Sequence, residues 1–374
     1  MGNIKQLDVF FRREKVGKLA SYGRQLVAFE YEDSWLTNGF SISPFSLPLE
    51  KKVFIPKIDP LDGIFGVFSD SLPDGWGRLL VDRLMLKNGM NPREIGTLDR
   101  LAIVGDSGMG ALTYEPSLPF EKMETDLDLD KIAYECAHML KTDFSEDLDQ
   151  LFYLGGSSGG ARPKILTMIN GEEWIIKFPS IHDKLNIGEQ EYRYSLCAKE
   201  CGISMMDTKL FPSKVCSGYF GTKRFDRINV HNGEIGRKHM ISVAGLLETS
   251  HRIPNLDYHI LMKLTLQLTN DFQQVEVLFR QMCFNVFAHN RDDHSKNFTF
   301  IYDMEAKGWK LSPAYDLTYS FSIGGEHATT VNGNGKNPTV QDMMEVANQI
   351  GLKSRVAKNI IDEVKACVDV YELF

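Results

Sequence analysis

The sequence predicts an α+β fold, with a β-rich N-terminal subdomain that also carries helices, then a small β-containing lobe and a mainly helical C-terminal lobe. Apolar and polar residues alternate at Leu7–Phe11 and Val27–Tyr31, which is typical of half-buried strands. Apolar strand-like runs return near Lys164–Met168, and long amphipathic helical patterns fill most of the chain after residue 250. At 374 residues the chain is too long for one ordinary domain.

Helices follow the first strands. Asp74 is a good N-cap for a helix at Gly75–Lys87, and a second helical pattern runs over Pro92–Val104. The segment Glu115–Asp130 contains two prolines and a run of acidic residues, which favours a linker. We therefore expect a domain boundary near residue 120, with residues 1–120 forming the N-terminal subdomain.

The rest of the chain again begins with strands and ends with helices. A glycine-rich loop precedes strands at Lys164–Met168 and Glu173–Phe178, and another strand is predicted at Gly218–Arg224. Four helices are expected near Leu256–Leu268, Val275–His289, Val340–Ile350 and Ser354–Tyr371. This order predicts a small β-lobe at residues 121–226 and a larger helical lobe at residues 227–374.

Charge and cysteine content limit the possible functions. The formal net charge of −8 makes the chain a poor candidate for binding duplex DNA on its own, because phosphate neutralisation needs a surplus of Lys and Arg. The six cysteines form no CxxC pair, and Cys197 and Cys201, four apart in a helical pattern, favour two packed side chains over a metal or redox site. With no signal peptide or membrane span expected, we predict a cytoplasmic protein.

The segment at residues 288–298, AHNRDDHSKNF, carries the most specific chemistry. Asp292 and Asn297 have the D-x-x-x-x-N spacing of a kinase catalytic loop, in which a carboxylate orients the attacking hydroxyl and an amide oxygen holds Mg²⁺. A hairpin pairing Phe298–Tyr302 with Trp309–Leu311 would bring Asp316 to the site as a second metal ligand. The spacing alone leaves two alternatives open, a solvated loop or a metal cluster of neighbouring His and Asp side chains.

A glycine-rich segment at residues 154–164, LGGSSGGARPK, is suited to wrapping phosphate with backbone N–H groups, although such runs are often flexible linkers. Lys177 ends an apolar strand, where a lysine is costly to bury unless it is paired. It is therefore either a phosphate ligand or a side chain that extends to solvent. The RFDR segment Arg224–Arg227 would lie at a hinge between lobes, or form a surface salt-bridge cluster.

Together these segments resemble HipA-type kinases, the toxin half of type II toxin–antitoxin pairs. The matching pieces fall in sequence order along nearly the whole chain: Val16–Leu19, Phe45–Leu49, Phe68–Gly77, Lys164, Lys177, Arg224–Arg227, Asp292–Asn297 and Tyr315–Asp316. The strongest is DDHSKN at residues 292–297, which fits the family's D-x-H-x-K-N signature. The resemblance implies a bilobal, protein-kinase-like domain after the N-terminal subdomain.

The resemblance also implies roles for individual residues. Asp292 would be the catalytic base, and Asn297 and Asp316 would hold Mg²⁺. ATP would contact the remaining residues: Gly159, Gly160, Ala161, Arg162, Pro163 and Lys164 on the triphosphate side, Lys177 at the phosphates, Lys223, Arg224 and Phe225 at the adenine, and His294, Lys296 and Tyr315 lining the same site. Ser157, or the adjacent Ser158, would be an inhibitory autophosphorylation site.

The family phosphorylates a protein substrate, an aminoacyl-tRNA synthetase, and is restrained by a HipB-like helix-turn-helix antitoxin. We therefore expect such a partner, with DNA contacted only indirectly through it. The chain departs from the family pattern at Arg162 and Pro163, where a Gln-Glu pair is expected, and in carrying two loop serines. The competing hypotheses are a small-molecule phosphotransferase, a catalytically silent pseudokinase that acts as a repressor partner, and a metal hydrolase.

Overall fold

The computed structural model describes residues 4–118, 127–142, 144–229, 235–321 and 323–373. The chain divides into two compact units. The first unit comprises Met1–Gly188 and Phe211–Thr249, and the second comprises Glu189–Leu210 and Ser250–Phe374. The boundary predicted near residue 120 lies within residues 119–126, outside the described residues, so the division at residues 120 and 226 stays a prediction.

An antiparallel five-stranded sheet dominates the N-terminal part of the first unit, in the order β4-β3-β2-β1-β5. The elements in this part are β1 Gln6–Phe11, β2 Glu14–Tyr22, β3 Leu26–Tyr31, α1 Asp33–Asn38, β4 Val53–Phe54, α2 Gly66–Ser69, α3 Gly75–Lys87, α4 Thr97–Val104 and β5 Leu112–Glu115. Alternate residues Leu7, Val9 and Phe11 are buried along β1, as the period of two predicts.

The single helix predicted over Pro92–Val104 is wrong at its start. The structure has a short 3₁₀ turn at Pro92–Glu94, and α4 begins only at Thr97. Gly96 is the N-cap, and its N–H donates to the Asp99 carboxylate at 3.1 Å. The capping interaction at this glycine fixes the true start of the helix.

The remainder of the first unit holds helices and a second sheet. Its elements are α5 Leu129–Thr142, α6 Leu148–Gly155, β6 Lys164–Ile169, β7 Glu172–Lys177, β9 Tyr219–Lys223, β10 Arg227–Asn229, β11 Ile235–Arg237, β12 Met240–Ser242 and α8 Val243–Leu246. The chain divides between units within α7, Ile187–Glu200, and within β8, Thr208–Phe211. Strand β7 pairs antiparallel with both β6 and β9. Side chains from α3, α6 and these strands form one apolar core.

The second unit is mainly helical, as predicted for this part of the chain. Its elements are β13 Leu256–Asp257, α9 Tyr258–Thr269, α10 Phe272–Phe287, β14 Thr299–Asp303, β15 Gly308–Leu311, β16 Thr329–Thr330, α11 Val340–Gln349 and α12 Ser354–Tyr371. Helix α10 packs against α9 and α12 and is buried over most of its length. Among the described residues, no helix is long and apolar enough to cross a bilayer.

Candidate active site

The glycine-rich loop of the first unit lies against the start of α3. The Asp74 carboxylate accepts a hydrogen bond from the Gly160 N–H, and the Trp76 N–H donates to the Gly160 carbonyl at 2.9 Å. The Trp76 indole N–H donates to the Lys164 carbonyl at 3.1 Å. Asp74 is the N-cap residue of α3, as predicted, but its side chain makes no capping bond to the helix, and its carboxylate bonds to the loop instead.

Two glycines of α3 permit this close approach. A Cβ on Gly77 would meet the Ser158 carbonyl, and a Cβ on Gly75 would meet the Gly160 carbonyl. Gly75 also has a φ of 46°, in the left-handed region that favours glycine. The segment Asp74–Gly77 therefore acts as a cradle for the glycine-rich loop, a role that sequence reasoning did not assign to it.

Two lysines face each other behind the loop. Lys164 opens β6 and Lys177 ends β7, and the two residues are directly paired across the antiparallel ladder. Opposed residues in a ladder share one face of the sheet. Both side chains are more than nine-tenths buried, and the Lys164 ammonium donates to the Gly159 carbonyl at 2.5 Å. This arrangement places two basic side chains on one face of the sheet beside the loop.

The predicted hinge residues are held differently from one another. The Lys223 ammonium lies 2.8 Å from the Glu172 carboxylate. The buried Arg224 guanidinium binds Asp226 at 2.8 Å and Glu173 at 3.0 Å, and donates to the Gly108 carbonyl at 3.2 Å. The alternative of a surface salt-bridge cluster is therefore wrong, because this cluster is buried.

The same cluster determines the charge of Asp226. Burial alone would raise the pKa of this carboxyl, but the guanidinium groups of Arg224 and Arg227 outweigh burial and hold its pKa well below the usual range. The Gly110 N–H also donates to Asp226, at 2.6 Å. The segment at Gly108–Gly110 is thereby attached to the strand region around Arg224, and the guanidinium of Arg224 is committed to that attachment.

The adjacent residues Asp292 and Asp293 lie in opposite environments within the second unit. The Asp292 side chain is 61% exposed, whereas Asp293 is 1% exposed. The Asp293 carboxylate accepts from the Tyr258 hydroxyl at 2.8 Å, the Thr329 N–H at 3.2 Å and the His327 ring at 2.9 Å. Of these two carboxylates only Asp292 is open to solvent, while Asp293 holds the loop to buried groups of the second unit.

A chain of buried polar groups extends from Asp293. The Tyr258 hydroxyl accepts from the Asn285 amide at 2.8 Å, and the Asn290 amide donates to the Asn285 side-chain oxygen at 2.9 Å. Burial, together with the nearby Asp293 carboxylate, raises the pKa of Tyr258 well above its ordinary value, so this phenol stays a donor. The network joins α9 and α10 to the loop at residues 290–297.

The other predicted residues of the second unit are linked through short contacts. The Asn297 side-chain N–H donates to the Asp292 carbonyl at 2.7 Å, which fixes the direction of the amide oxygen. His294 Nε2 lies 3.8 Å from an Asp292 carboxylate oxygen, and the rings of His294 and His251 are 5.2 Å apart. The Tyr315 hydroxyl donates to the Lys296 carbonyl at 2.6 Å.

Asp316 follows this anchored tyrosine. Its φ of 54° lies in the left-handed region, which aspartate occupies more readily than most residues. The predicted hairpin is present, with Phe300 opposite Leu311 and Tyr302 opposite Trp309. The structure therefore brings the segment that carries Asp316 beside the loop that carries Asn297, through the bond between Tyr315 and Lys296.

The two loop serines differ in exposure. The Ser157 hydroxyl, on a half-buried residue, donates to the Ser107 carbonyl at 3.0 Å. Ser158 is 2% exposed, and its hydroxyl donates to the Gly155 carbonyl at 2.6 Å. Arg162 pairs with Asp183 at 3.0 Å, while the Pro163 carbonyl accepts from the Phe178 N–H at 2.9 Å. Ser157 is therefore the more accessible of the two hydroxyls.

Sequence reasoning missed the residues that support the site: Asp74, Trp76, Tyr258, Asp293 and His327. Residues 68–77 were one of the pieces that resemble the HipA family, but the resemblance did not predict their contact with the glycine-rich loop. For Asp293 and His327 the sequence offers only an Asp doublet and an isolated histidine, which are common in solvated loops. The hydrogen bond between Asp293 and His327 joins residues that are 34 positions apart, so it becomes visible only in the folded structure.

Two family models match the chain. The HipA N-terminal domain matches residues 7–115, and the HipA-like C-terminal domain matches residues 156–371. No curated protein matches the sequence. The second model alone covers more than half of the 374 residues.

The structure is also similar to solved structures. One is HipA from Shewanella oneidensis MR-1, solved in complex with HipB and operator DNA; it is 17% identical, with a TM-score of 0.73, covering 98% of this chain and 91% of that chain. Another is the Helicobacter pylori proinflammatory kinase CtkA, 16% identical, with a TM-score of 0.37, covering 57% of this chain and 89% of that chain. The first likeness confirms the predicted fold class. On the two family models, the chain belongs to the HipA family.

Proposed function

We propose that the chain is a serine/threonine protein kinase that transfers the γ-phosphate of Mg-ATP to a protein hydroxyl. The observation that carries the proposal is the contrast between exposed Asp292 and buried Asp293, with Asn297 bonded back to the Asp292 carbonyl. A loop built in this way presents one carboxylate and one oriented amide oxygen. Phosphoryl transfer depends mainly on such positioning and on charge neutralisation.

The donor set suits magnesium. Asn297 and Asp316 offer an amide and a carboxylate oxygen, and hard oxygen ligands are those that Mg²⁺ prefers. The bond between Tyr315 and Lys296 would keep the two segments in register. When bound, Mg²⁺ would supply charge neutralisation at the phosphates, and Asp292 would orient the attacking hydroxyl and receive its proton.

The first unit would bind the nucleotide. The buried pair Lys164 and Lys177 would contact the phosphates, because both lysines lie at the end of the sheet next to the glycine-rich loop and the Lys164 ammonium already reaches the Gly159 carbonyl. The loop residues from Gly159 to Pro163 would lie on the triphosphate side. Arg224 would contribute to the adenine contact through its backbone, because its guanidinium is held by Asp226 and Glu173.

We also propose inhibitory autophosphorylation at Ser157 rather than at Ser158. The Ser157 hydroxyl is accessible, and a phosphate there would break its bond to the Ser107 carbonyl. It would also place about two negative charges in a loop proposed to bind the triphosphate. Ser158 would have to leave a buried position before it could react.

The proposed partners follow from the family. The chain would act as the toxin of a toxin–antitoxin pair in the cytoplasm, restrained by a HipB-like helix-turn-helix protein. HipA of Shewanella oneidensis MR-1 was solved with HipB and operator DNA. The net charge of −8 supports indirect contact with DNA through that partner. The protein substrate would be one such as an aminoacyl-tRNA synthetase.

The test is transfer of labelled γ-phosphate from ATP to the chain and to added bacterial proteins. Asp292→Asn should reduce the rate by about 10²–10⁴-fold, the usual contribution of a positioned base. Asp362→Asn, at an exposed carboxylate on α12, is the matched control and should leave the rate unchanged.

Unchanged labelling in Asp292→Asn would contradict the assignment of the base. Labelling of small hydroxylated metabolites but of no protein would favour a small-molecule phosphotransferase, and failure to bind Mg-ATP would favour a pseudokinase.

A further inference from the structure

Three cysteine sulfurs converge in the second unit, and none of them belongs to the residues of the candidate active site. Cys197 lies in the last turn of α7, Cys201 directly follows the final residue of that helix, and Cys367 lies on α12. All three sulfur atoms lie within 4.8 Å of one another. The sequence predicted two packed thiols at Cys197 and Cys201; the third comes from 166 residues later in the chain (367 minus 201).

The separation of these sulfurs matches a metal site. Zinc–thiolate bonds are about 2.3 Å long, so sulfurs that share one zinc ion lie about 3.8 Å apart in a tetrahedral arrangement. The observed cluster needs little movement to reach that separation. Two of the thiols also contact the backbone of the opposite segment: the Cys367 thiol donates to the Cys197 carbonyl at 3.8 Å, and the Cys201 thiol donates to the Val364 carbonyl at 4.0 Å.

The two helices are held together beside the cluster. The Arg193 guanidinium, on α7, donates to the Tyr371 carbonyl at 2.7 Å, at the end of α12. Cys197 and Cys201 are buried, whereas Cys367 is only partly buried, which gives an ion access from solvent. Buried thiols that serve only as small apolar side chains need neither mutual convergence nor access.

Charge decides which class of ion fits. Three thiolates carry three negative charges, so a divalent ion leaves one net charge and a monovalent ion leaves two. Because a larger net charge costs more free energy to bury, the three thiolates favour a divalent ion over a monovalent one. The sulfur ligands in turn select thiophilic ions over magnesium or calcium.

We propose that Cys197, Cys201 and Cys367 form a binding site for a divalent thiophilic metal ion of the zinc class, which joins α7 to the C-terminal helix α12. Binding forms three metal–sulfur bonds and releases three thiol protons to solvent. The fourth ligand position would be filled by water from the side of Cys367. The proposal is independent of the kinase assignment.

The test uses the reduced, untagged full chain and Co²⁺ as a spectroscopic substitute for Zn²⁺. One Co²⁺ per chain should bind with thiolate-to-cobalt charge-transfer absorption, a feature that carboxylate or imidazole sites do not produce. Cys367→Ser should lose this absorption. Cys216→Ser, a partly buried cysteine outside the cluster, is the matched control and should keep it. Equal absorption in Cys367→Ser and the unmodified chain would overturn the proposal.

A second measurement needs no variant. Zinc binding to the unmodified chain at pH 7.5 should release two to three protons per ion, measured by titration calorimetry in buffers that differ in ionisation enthalpy. Release of less than one proton, or no thiolate absorption with Co²⁺ in excess, would overturn the proposal. An intact mass 2 Da below that of the reduced chain, persisting after zinc is added, would also overturn it in favour of a disulfide.

Discussion

Two isosteric substitutions at adjacent positions should separate stability from activity. Asp293→Asn removes the charge of a carboxylate that accepts from Tyr258, His327 and the Thr329 N–H. Buried hydrogen bonds to a charged group contribute about 1.5–3 kcal/mol each. Asparagine keeps one oxygen for Thr329, but its NH₂ would face the Tyr258 hydroxyl and the His327 ring. If the Tyr258 hydroxyl or the His327 ring reorients and regains its hydrogen bond, one contact to the former carboxylate stays lost. The unfolding free energy should then fall by about 2–3 kcal/mol.

Asp292→Asn is the companion variant. Because the Asp292 side chain is 61% exposed, its replacement should change the unfolding free energy by less than about 0.5 kcal/mol. Urea unfolding of both variants, followed by circular dichroism, gives the two free energies, and labelled phosphate transfer gives their activities. We expect Asp293→Asn to be destabilised and Asp292→Asn to be stable but inactive. Equal destabilisation of the two variants would refute the division of roles within this loop.

Three further predictions concern the first unit. Gly77→Ala should slow phosphate transfer at least tenfold, because its Cβ would push on the Ser158 carbonyl, whereas Gly308→Ala, with ordinary space for a Cβ, should not; equal rates would count against the cradle. Lys177→Met should weaken ATP binding in calorimetry by tenfold to a hundredfold, about 1.4–2.8 kcal/mol, and unchanged affinity would argue against a phosphate contact. Burial lowers the pKa of His239 to about 4, so the folded state should lose about 2 kcal/mol between pH 7 and pH 5 as the unfolded histidine takes up a proton. His239→Gln should flatten that part of the urea stability profile, and an equal slope in both proteins would exclude this histidine as the cause.

Local features of the fold could be predicted from the sequence, whereas long-range pairings could not. The hairpin between β14 and β15 was predicted because its two apolar runs are adjacent and the turn lies between them. The spacing to Asn297 distinguishes Asp292 from Asp293, but the burial of Asp293 could not be predicted, since it depends on Tyr258 and His327, 35 and 34 residues away. The same limit applies to Cys367 in the cysteine cluster.

Asp74 is a second residue whose long-range partner could not be predicted from the sequence. An aspartate before a glycine-rich helix start is a strong local indication of an N-cap, and the helix does begin where it was predicted. The carboxylate nevertheless bonds to Gly160, 86 residues later. The family pattern identified Asp292, Asn297 and Asp316 as candidates, and their roles stay predictions.

The cradle at Asp74–Gly77 has a consequence for the evolution of the chain. The first family model ends at residue 115 and the second begins at residue 156. The glycine-rich loop lies within the second match, yet it is bonded to Trp76, which lies within the first. The buried Arg224 makes a second such attachment, to Gly108. A truncated gene that encoded only the C-terminal portion would lose both attachments, the one at the glycine-rich loop and the one at Arg224. The two portions are therefore expected to be inherited together, and recombination between them should be selected against.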